Sequence, residues 1–259
     1  MNEIIKGLID FGTGYKIGSE DIKIICYADD AVLLAENEDD LQRLLFKFKT
    51  IAESFNMKIS IEKTKCMTIA KEPIRCKLSI EDQSIEQVMS FKYLGVEITS
   101  HRDNNKETQV QTAKASAISG YLRDVIWKNK YMLIENKVRV YKTCVRPIMT
   151  YAAETRADTS STKQRLRATE MQTLRQICGY TLLDKKRSAD IREECKIQDI
   201  VRWTRCRRRY WRDHVNRMSE NRLPKIAMTN KPNTKRPPGR PPKRWHECWT
   251  STSHDHENP

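Results

Sequence analysis

The apolar positions of the first hundred residues change their spacing several times. Ile22 to Tyr27 is a short, β-branched apolar run, and Ala31 to Ala35 is another. Ala28-Asp29-Asp30 lies between them, and two short strands about an acidic turn predict a hairpin. Asn37 then predicts a helix N-cap, with Asp39 and Asp40 favoured by the dipole in the first turn. Leu41, Leu44, Leu45, Phe48, Ile51, Ala52 and Phe55 follow at helical spacing on one face. After Asn56 the period shortens to two, with Ile59, Ile61, Met67 and Ile69 sharing the parity of one strand face. Phe91 to Ile98 predicts a further strand, broken by Gly95.

From Asn104 the pattern is helical. Val110, Ala113, Ala117, Tyr121 and Ile126 mark one helix, whose small residues permit close packing. Leu133, Val138, Tyr141 and Val145 mark a second, which Pro147 should end or kink. Ser161 with Gln164 predicts a capping box for a third, burying Leu166, Leu174 and Ile177 and stopping at Gly179. Ile200, Trp203, Tyr210, Trp211, Val215 and Met218 predict a long helix with arginines on its other face. Residues 230–242, rich in Pro, Lys, Asn and Thr, predict an extended segment.

Composition narrows this picture. With 38% hydrophobic and 32% charged residues, the chain is polar but not committed to disorder. It has no apolar run of membrane-spanning length, and its start lacks the basic and apolar regions of a secretory signal. Cys26, Cys66, Cys76, Cys144, Cys178, Cys195, Cys206 and Cys248 are scattered without a Cys-x-x-Cys pair. They predict reduced, mostly buried thiols in an intracellular protein of cytoplasm or nucleus, with no membrane partner. Charge changes the picture most. Between Arg202 and Arg244 stand 15 Lys or Arg and 2 Asp or Glu, so this segment carries +13 of the net +14. A stripe so placed suits a polyanion, because neutralising phosphates releases counterions.

Adjacent aspartates at a hairpin tip repel each other. A divalent cation removes that cost, and hard cations such as Mg²⁺ take carboxylate oxygens. Asp29 and Asp30 are therefore candidate metal ligands, although an isolated Asp-Asp pair is more often an ordinary turn.

Their surroundings favour the metal. Tyr27-Ala28-Asp29-Asp30 before Ala31-Val32-Leu33-Leu34 resembles the catalytic hairpin of reverse transcriptases. Asn56-Met57-Lys58-Ile59-Ser60-Ile61-Glu62-Lys63-Thr64-Lys65 resembles the next motif of that family. Phe91-Lys92-Tyr93-Leu94-Gly95-Val96 resembles the primer grip of non-LTR, LINE-like elements. Three motifs in order, at the right gaps, are specific where each alone is weak. Lys137 to Val145, Tyr151-Ala152-Ala153-Glu154-Thr155 and Arg175-Gln176-Ile177-Cys178-Gly179 are similar to the family's thumb. Arg156 departs from it, since relatives usually show a tryptophan after the Glu-Thr pair. His214 to Met218 and Gly239 to Trp245 resemble the tails of such elements in insects and other animals.

The resemblance implies an α+β chain: part of a right-hand polymerase palm (a short antiparallel sheet plus a helix), then an all-α thumb and a basic helical and extended tail. The expected boundaries are 1–99 for palm with primer grip, 100–185 for thumb, 186–229 for the basic helical region and 230–259 for a disordered tail. It implies an RNA-directed DNA polymerase with an RNA template, a DNA primer and, in the intact parent, a two-metal Mg²⁺ site. Asp29 and Asp30 would be catalytic and metal-binding, within a Tyr27-Ala28 substrate segment. Lys63 would sit by the triphosphate, with Lys65 the alternative or a plain strand end. Phe91, Tyr93, Leu94 and Gly95 would hold the primer, with core packing an equal alternative for Phe91 and Leu94.

The family takes its first catalytic aspartate from an earlier palm strand. None of Glu3, Asp10, Glu20 or Asp21 follows an apolar strand in the expected way. The expectation is a chain inactive alone, lacking an N-terminal polymerase half, or an inactive nucleic-acid-binding remnant. In the basic stripe, Arg205, Arg207, Arg208, Arg209 and Arg212 flank Trp203, Tyr210 and Trp211. The expectation is that the aromatics pack and the arginines bind phosphate. Arg240, Lys243 and Arg244 extend the stripe. Pro238-Gly239-Arg240-Pro241 only partly matches a minor-groove hook, and His246, Cys248, His254 and His256 fit no common zinc spacing.

Overall fold

The computed structural model describes residues 2–12, 14–70, 72–101, 103–230 and Gly239. In chain order the elements are α1 (Asn2–Ile9), β1 (Tyr15–Ile17), β2 (Glu20–Ile22), β3 (Ile24–Tyr27), β4 (Asp30–Leu33) and α2 (Glu38–Ser54). Then come β5 (Lys65–Cys66), β6 (Ser79–Ile80), β7 (Gln83–Ser84), β8 (Glu86–Gln87), β9 (Ser90–Tyr93) and β10 (Val96–Thr99). The rest is helical: α3 (Asn104–Leu122), α4 (Ile134–Val140), α5 (Arg146–Met149), α6 (Ser160–Cys178), α7 (Ser188–Glu194), α8 (Ile200–Asn216) and α9 (Leu223–Thr229). The chain mixes helix with short strands, all of the described strands lying before α3, as in an α+β protein. Two compact units form. One holds α1 to β9 with the end of β10 and α9; the other holds the β9–β10 turn and α3 to α8.

In the first unit α2 is the central element. Asn37 caps it, its side chain accepting from the Asp40 amide at 2.8 Å. Leu44 and Ala52 pack with Ile4 and Leu8 of α1, while Leu45 packs with Cys66, Cys76, Leu78, Ile80 and Ile85. Leu33 of β4 touches both clusters, and Ile24 of β3 joins the first. The strands pair only in twos among the described residues. Pairs β1–β2, β3–β4 and β6–β7 are antiparallel, but β5–β8 is parallel. The strand expected across Ile59–Ile69 shrinks to Lys65–Cys66. Its partner β8 is two residues long, and a turn in which the Thr64 amide donates to the Ser60 carbonyl interrupts the run. The broken strand at Gly95 is a hairpin whose two loop residues, Leu94 (φ 47°) and Gly95 (φ 83°), are both left-handed, as a primed hairpin turn requires.

The second unit buries Trp127, Val138, Tyr141, Val145, Met149, Leu166, Leu174, Ile177, Ile191 and Ile200 in one core. A five-residue π turn, Arg123–Trp127, ends α3, and another, Tyr141–Val145, separates α4 from α5 just before Pro147, where the helical hydrogen bonds must skip a donor. The face of α3 differs from expectation. Ala113, Ala117 and Tyr121 are exposed, whereas Glu107, Thr108, Gln111, Thr112, Ala115 and Ser119 are buried. Small hydroxylated residues let α3 approach α6 closely, with Ser119 bonded to Thr173 at 3.1 Å and Thr112 Oγ1 returned to the Thr108 carbonyl at 2.7 Å. Helix α6 begins one turn-edge earlier than the Ser161–Gln164 pair suggests: Thr159 is its N-cap, accepting from the Thr162 amide, and Gly179 closes it at φ 77°.

Candidate metal site and nucleic-acid surface

The β3–β4 register runs Ile24↔Leu33, Ile25↔Val32, Cys26↔Ala31 and Tyr27↔Asp30. Only Ala28 and Asp29 therefore turn the chain. Ala28 sits at φ 53°, a left-handed conformation that costs a non-glycine residue about 1–2 kcal/mol. Such strain is held by the core-anchored base of the hairpin, Ile24 and Leu33, and both Asp29 and Asp30 at its tip are exposed to solvent. Tyr27 is exposed as well. Two adjacent hard oxygen donors, open to solvent, fit Mg²⁺ by donor chemistry.

Lys63 is exposed, and no hydrogen bond or ion pair joins it to the aspartates. Lys65 is spent on Glu86, 2.6 Å away across β5–β8. Among the described residues no group of three or more Asp, Glu, His or Cys side chains is gathered for a metal.

Phe91 and Leu94 are partly exposed. At the tip of the β9–β10 hairpin the Leu94 carbonyl accepts from Tyr151 Oη at 2.7 Å, and the Gly95 carbonyl from Gln111 Nε2 at 3.0 Å. A Cβ at Gly95 would meet the Tyr151 ring at 3.2 Å. The close approach that Gly95 permits is thus, first of all, to Tyr151.

Helix α8 is capped by Asp199, which accepts from the Val201 amide at 2.8 Å and the Arg202 amide at 3.2 Å. Its arginines do not act alike. Arg208 is buried, donating from Nε to the Ala153 carbonyl at 2.8 Å and from Nη2 to Asp158. This corrects the expectation that it binds phosphate, since its donors face inward. Arg207 is exposed beside Glu154, Arg209 is exposed, and Arg205 and Arg212 are half-buried, the latter against Asp213. The aromatics also divide. Trp203 is half-buried with the Arg146 guanidinium 4.7 Å above its ring, but Tyr210 is 65% exposed and does not pack. Arg240, Lys243 and Arg244, with the hook-like and histidine-containing segments around them, lie outside the described residues.

Sequence reasoning missed α7 and α9, short helices without a long apolar period. It also missed the cluster of buried Tyr141 and Glu170 with half-buried Arg192. Arg192 donates to Glu170 at 2.9 Å, and no local spacing links residues so far apart.

Residues 1–98 match the family of reverse transcriptases (RNA-dependent DNA polymerases). A transposon-derived protein of Caenorhabditis elegans is 24% identical over 241 residues, covering 89% of this chain and 85% of that one. The RNA-directed DNA polymerase from the mobile element jockey of Drosophila melanogaster is 26% identical over 194 residues. Over residues 1–98 the chain is similar to reverse transcriptases, and the similarity to proteins derived from mobile elements continues beyond that range. The match to the jockey polymerase covers 71% of this chain but 21% of that protein, so the segment corresponds to a small part of it. The Asp29-Asp30 hairpin and the β9–β10 turn fall inside the matched reverse transcriptase range, and α3 to α8 lie beyond it. Reverse transcriptases act on nucleic acid and use divalent metal ions. Among the described residues no helix is long and apolar enough to cross a membrane.

Proposed function

We propose that this chain is the part of a non-LTR reverse transcriptase that carries the paired catalytic aspartates, the primer grip, the thumb and a basic nucleic-acid-binding region. The exposure of Asp29, in the strained Ala28-Asp29 turn, and of Asp30, the first residue of β4, at one hairpin tip supports this reading. Asp29 and Asp30 would hold Mg²⁺, which when bound activates the primer hydroxyl and neutralises charge on the triphosphate. Lys63 would offer a positive charge to the leaving pyrophosphate. Leu94 and Gly95 would set the primer backbone, with Tyr151 fixing their turn. Arg205, Arg207, Arg209 and Arg212 would hold phosphates of template and primer, joined by Arg240, Lys243 and Arg244.

Two carboxylates from one turn do not fix two metals for in-line attack, and no third metal-binding side chain is gathered with them among the described residues. A further carboxylate, from another palm segment, would complete the site. The same observation favours a second reading, a nucleic-acid-binding remnant without chemistry. Primer extension on an RNA template with Mg²⁺ tests both, using the chain with and without a palm–fingers segment of a related element. Extension only with the supplement, abolished by Asp29→Ala, supports the polymerase. Binding without extension in either case leaves the remnant.

A further inference from the structure

Two cysteine pairs touch within the fold, and their surroundings differ. Cys66 and Cys76 lie 3.3 Å apart in the core beneath α2. Cys178, the last residue of α6, lies 3.2 Å from Cys195, the C-cap of α7. Cys66 and Cys76 are both buried, whereas Cys178 is half-exposed over a buried Cys195. The residues between the second pair include Thr181–Arg187, an exposed loop, with Lys186 bound to the Tyr180 hydroxyl nearby.

We propose that Cys178 and Cys195 form a peroxide-oxidisable dithiol that closes to a disulfide between the ends of α6 and α7. A redox-active pair needs an accessible attacking sulfur with thiolate character and a second sulfur in reach to resolve it. Cys178 is the attacking sulfur. Its contact with the Cys195 sulfur, in which either thiol can donate, holds its pKa below that of an ordinary thiol; burial and Glu194 oppose this and Lys186 assists it. Cys195, hydrogen-bonded to Cys178 and buried, is pushed up and remains a thiol. The Cys66 thiol, by contrast, is pushed up to about 12 by burial and by Cys76. Contact alone therefore does not decide reactivity; access and thiolate character do.

The chemistry balances with hydrogen peroxide as oxidant. The Cys178 thiolate attacks one peroxide oxygen; an S–O bond forms, the O–O bond breaks, and hydroxide leaves to take up the proton that Cys178 had lost. The Cys195 sulfur then attacks the sulfenic sulfur of Cys178. The S–S bond forms, the S–O bond breaks, and water leaves with the thiol proton. Two thiols and one peroxide give one disulfide and two waters. Such bonds in a reducing compartment are transient and serve sensing rather than permanent stapling.

The test treats the full chain with hydrogen peroxide at neutral pH, blocks remaining thiols and maps non-reduced peptides by mass spectrometry. The expected result is loss of two of the eight thiols, a Cys178–Cys195 cross-link, and Cys66 and Cys76 still reduced. Cys195→Ser should stop at a sulfenic acid on Cys178 that dimedone captures, and Cys178→Ser should leave Cys195 unreacted. Circular dichroism checks that both variants fold, and Cys144, exposed in the Tyr141–Val145 turn between α4 and α5, is the internal control for access. Oxidation that begins at Cys144 or at Cys66 and Cys76 overturns the proposal. So does a Cys178→Ser chain that loses two thiols as fast as the parent.

Discussion

Arg208 of α8 donates to Asp158, in the segment before α6, and the two side chains are 4% and 1% exposed. Arg156 reaches the same carboxylate from the other side at 2.8 Å. A buried aspartate thus holds two guanidiniums, and it ties the start of α6 to the middle of the helix with the densest positive charge. Arg156 itself is only 5% exposed, so the whole cluster is buried. Removing the shared counter-ion should be costly. Asp158→Ala leaves two buried guanidiniums uncompensated and should destabilise the chain by roughly 3–5 kcal/mol. Arg209→Ala, on the exposed face of the same helix, should change stability by less than about 0.5 kcal/mol. Urea unfolding of the two variants beside the parent measures both.

The same carboxylate gives a pH signature. Burial pushes the Asp158 carboxyl up, but Arg156 and Arg208 outweigh it and hold it below its ordinary value of 3.8. A depressed folded-state value means the stabilisation is complete above about 3.8 and is lost as pH falls through the folded value. Glu170 has the opposite sign. Burial raises its carboxyl above the ordinary 4.5 despite Arg192. Its contribution is complete below that value and declines as pH rises through the folded one. Stability measured from pH 2 to 7 should therefore show an acid-side loss that Asp158→Asn removes. Glu170→Gln should remove a decline on the other side of pH 4.5. Parallel curves for parent and both variants would contradict this assignment.

What the sequence shows of this fold follows from where local rules suffice. The acidic hairpin, the Asn37 cap and the Gly179 stop are set by residues within a few positions of one another, and each appears as read. Helix α3 fails that test. Its apolar residues Ala113, Ala117 and Tyr121 form the better stripe on paper, yet the chain buries Thr108, Thr112 and Ser119. The Thr112 hydroxyl bonds a carbonyl of its own helix and the Ser119 hydroxyl meets Thr173 of α6, so burial leaves both satisfied. That compensation depends on a partner more than 50 residues away. Arg208 misleads for the same reason, because its counter-ion Asp158 is equally distant in sequence. The proposed metal site is legible only in part: the turn is local, whereas assembly of a full ligand set is not.

Gly95 offers a sharper test of the β9–β10 turn. At φ 83°, with the Tyr151 ring 3.2 Å from where a Cβ would stand, alanine meets both backbone strain and a contact the ring must yield to. Gly95→Ala should destabilise by about 1–3 kcal/mol. Tyr151→Phe keeps the ring and removes only the hydrogen bond to the Leu94 carbonyl. It should cost about 0.5–1.5 kcal/mol. Thermal unfolding of the two single variants and the double variant reads the coupling. Strict additivity would separate Gly95 from Tyr151.

The divided character of α8 predicts divided effects on nucleic-acid binding. Arg207 and Arg209 are exposed, so replacing either with alanine should weaken binding to any RNA or DNA sequence alike. Each should reduce the slope of log affinity against log salt by about 1. Tyr210, exposed beside them, should contribute stacking on unpaired bases, about 1–3 kcal/mol on single strands and little on duplex. Fluorescence anisotropy across a salt series, on single- and double-stranded probes, reports all three. A salt-independent affinity would rule out phosphate contacts as its source.

The paired aspartates separate chemistry from folding. Asp29 and Asp30 are exposed at a hairpin tip whose stability comes from Ile24 and Leu33. Replacing either with asparagine removes like-charge repulsion and no core contact, so the unfolding midpoint should stay or rise slightly. Activity should behave otherwise. In the reaction supplemented with a palm–fingers segment, Asp29→Asn should abolish primer extension, as should chelation of the divalent ion with EDTA, and restored Mg²⁺ should rescue the parent chain only. Unchanged thermal unfolding beside lost extension places these carboxylates in the reaction. Extension that survives both substitutions would remove Asp29 and Asp30 from the proposed metal site and leave their turn a strained but chemically idle corner of the first unit.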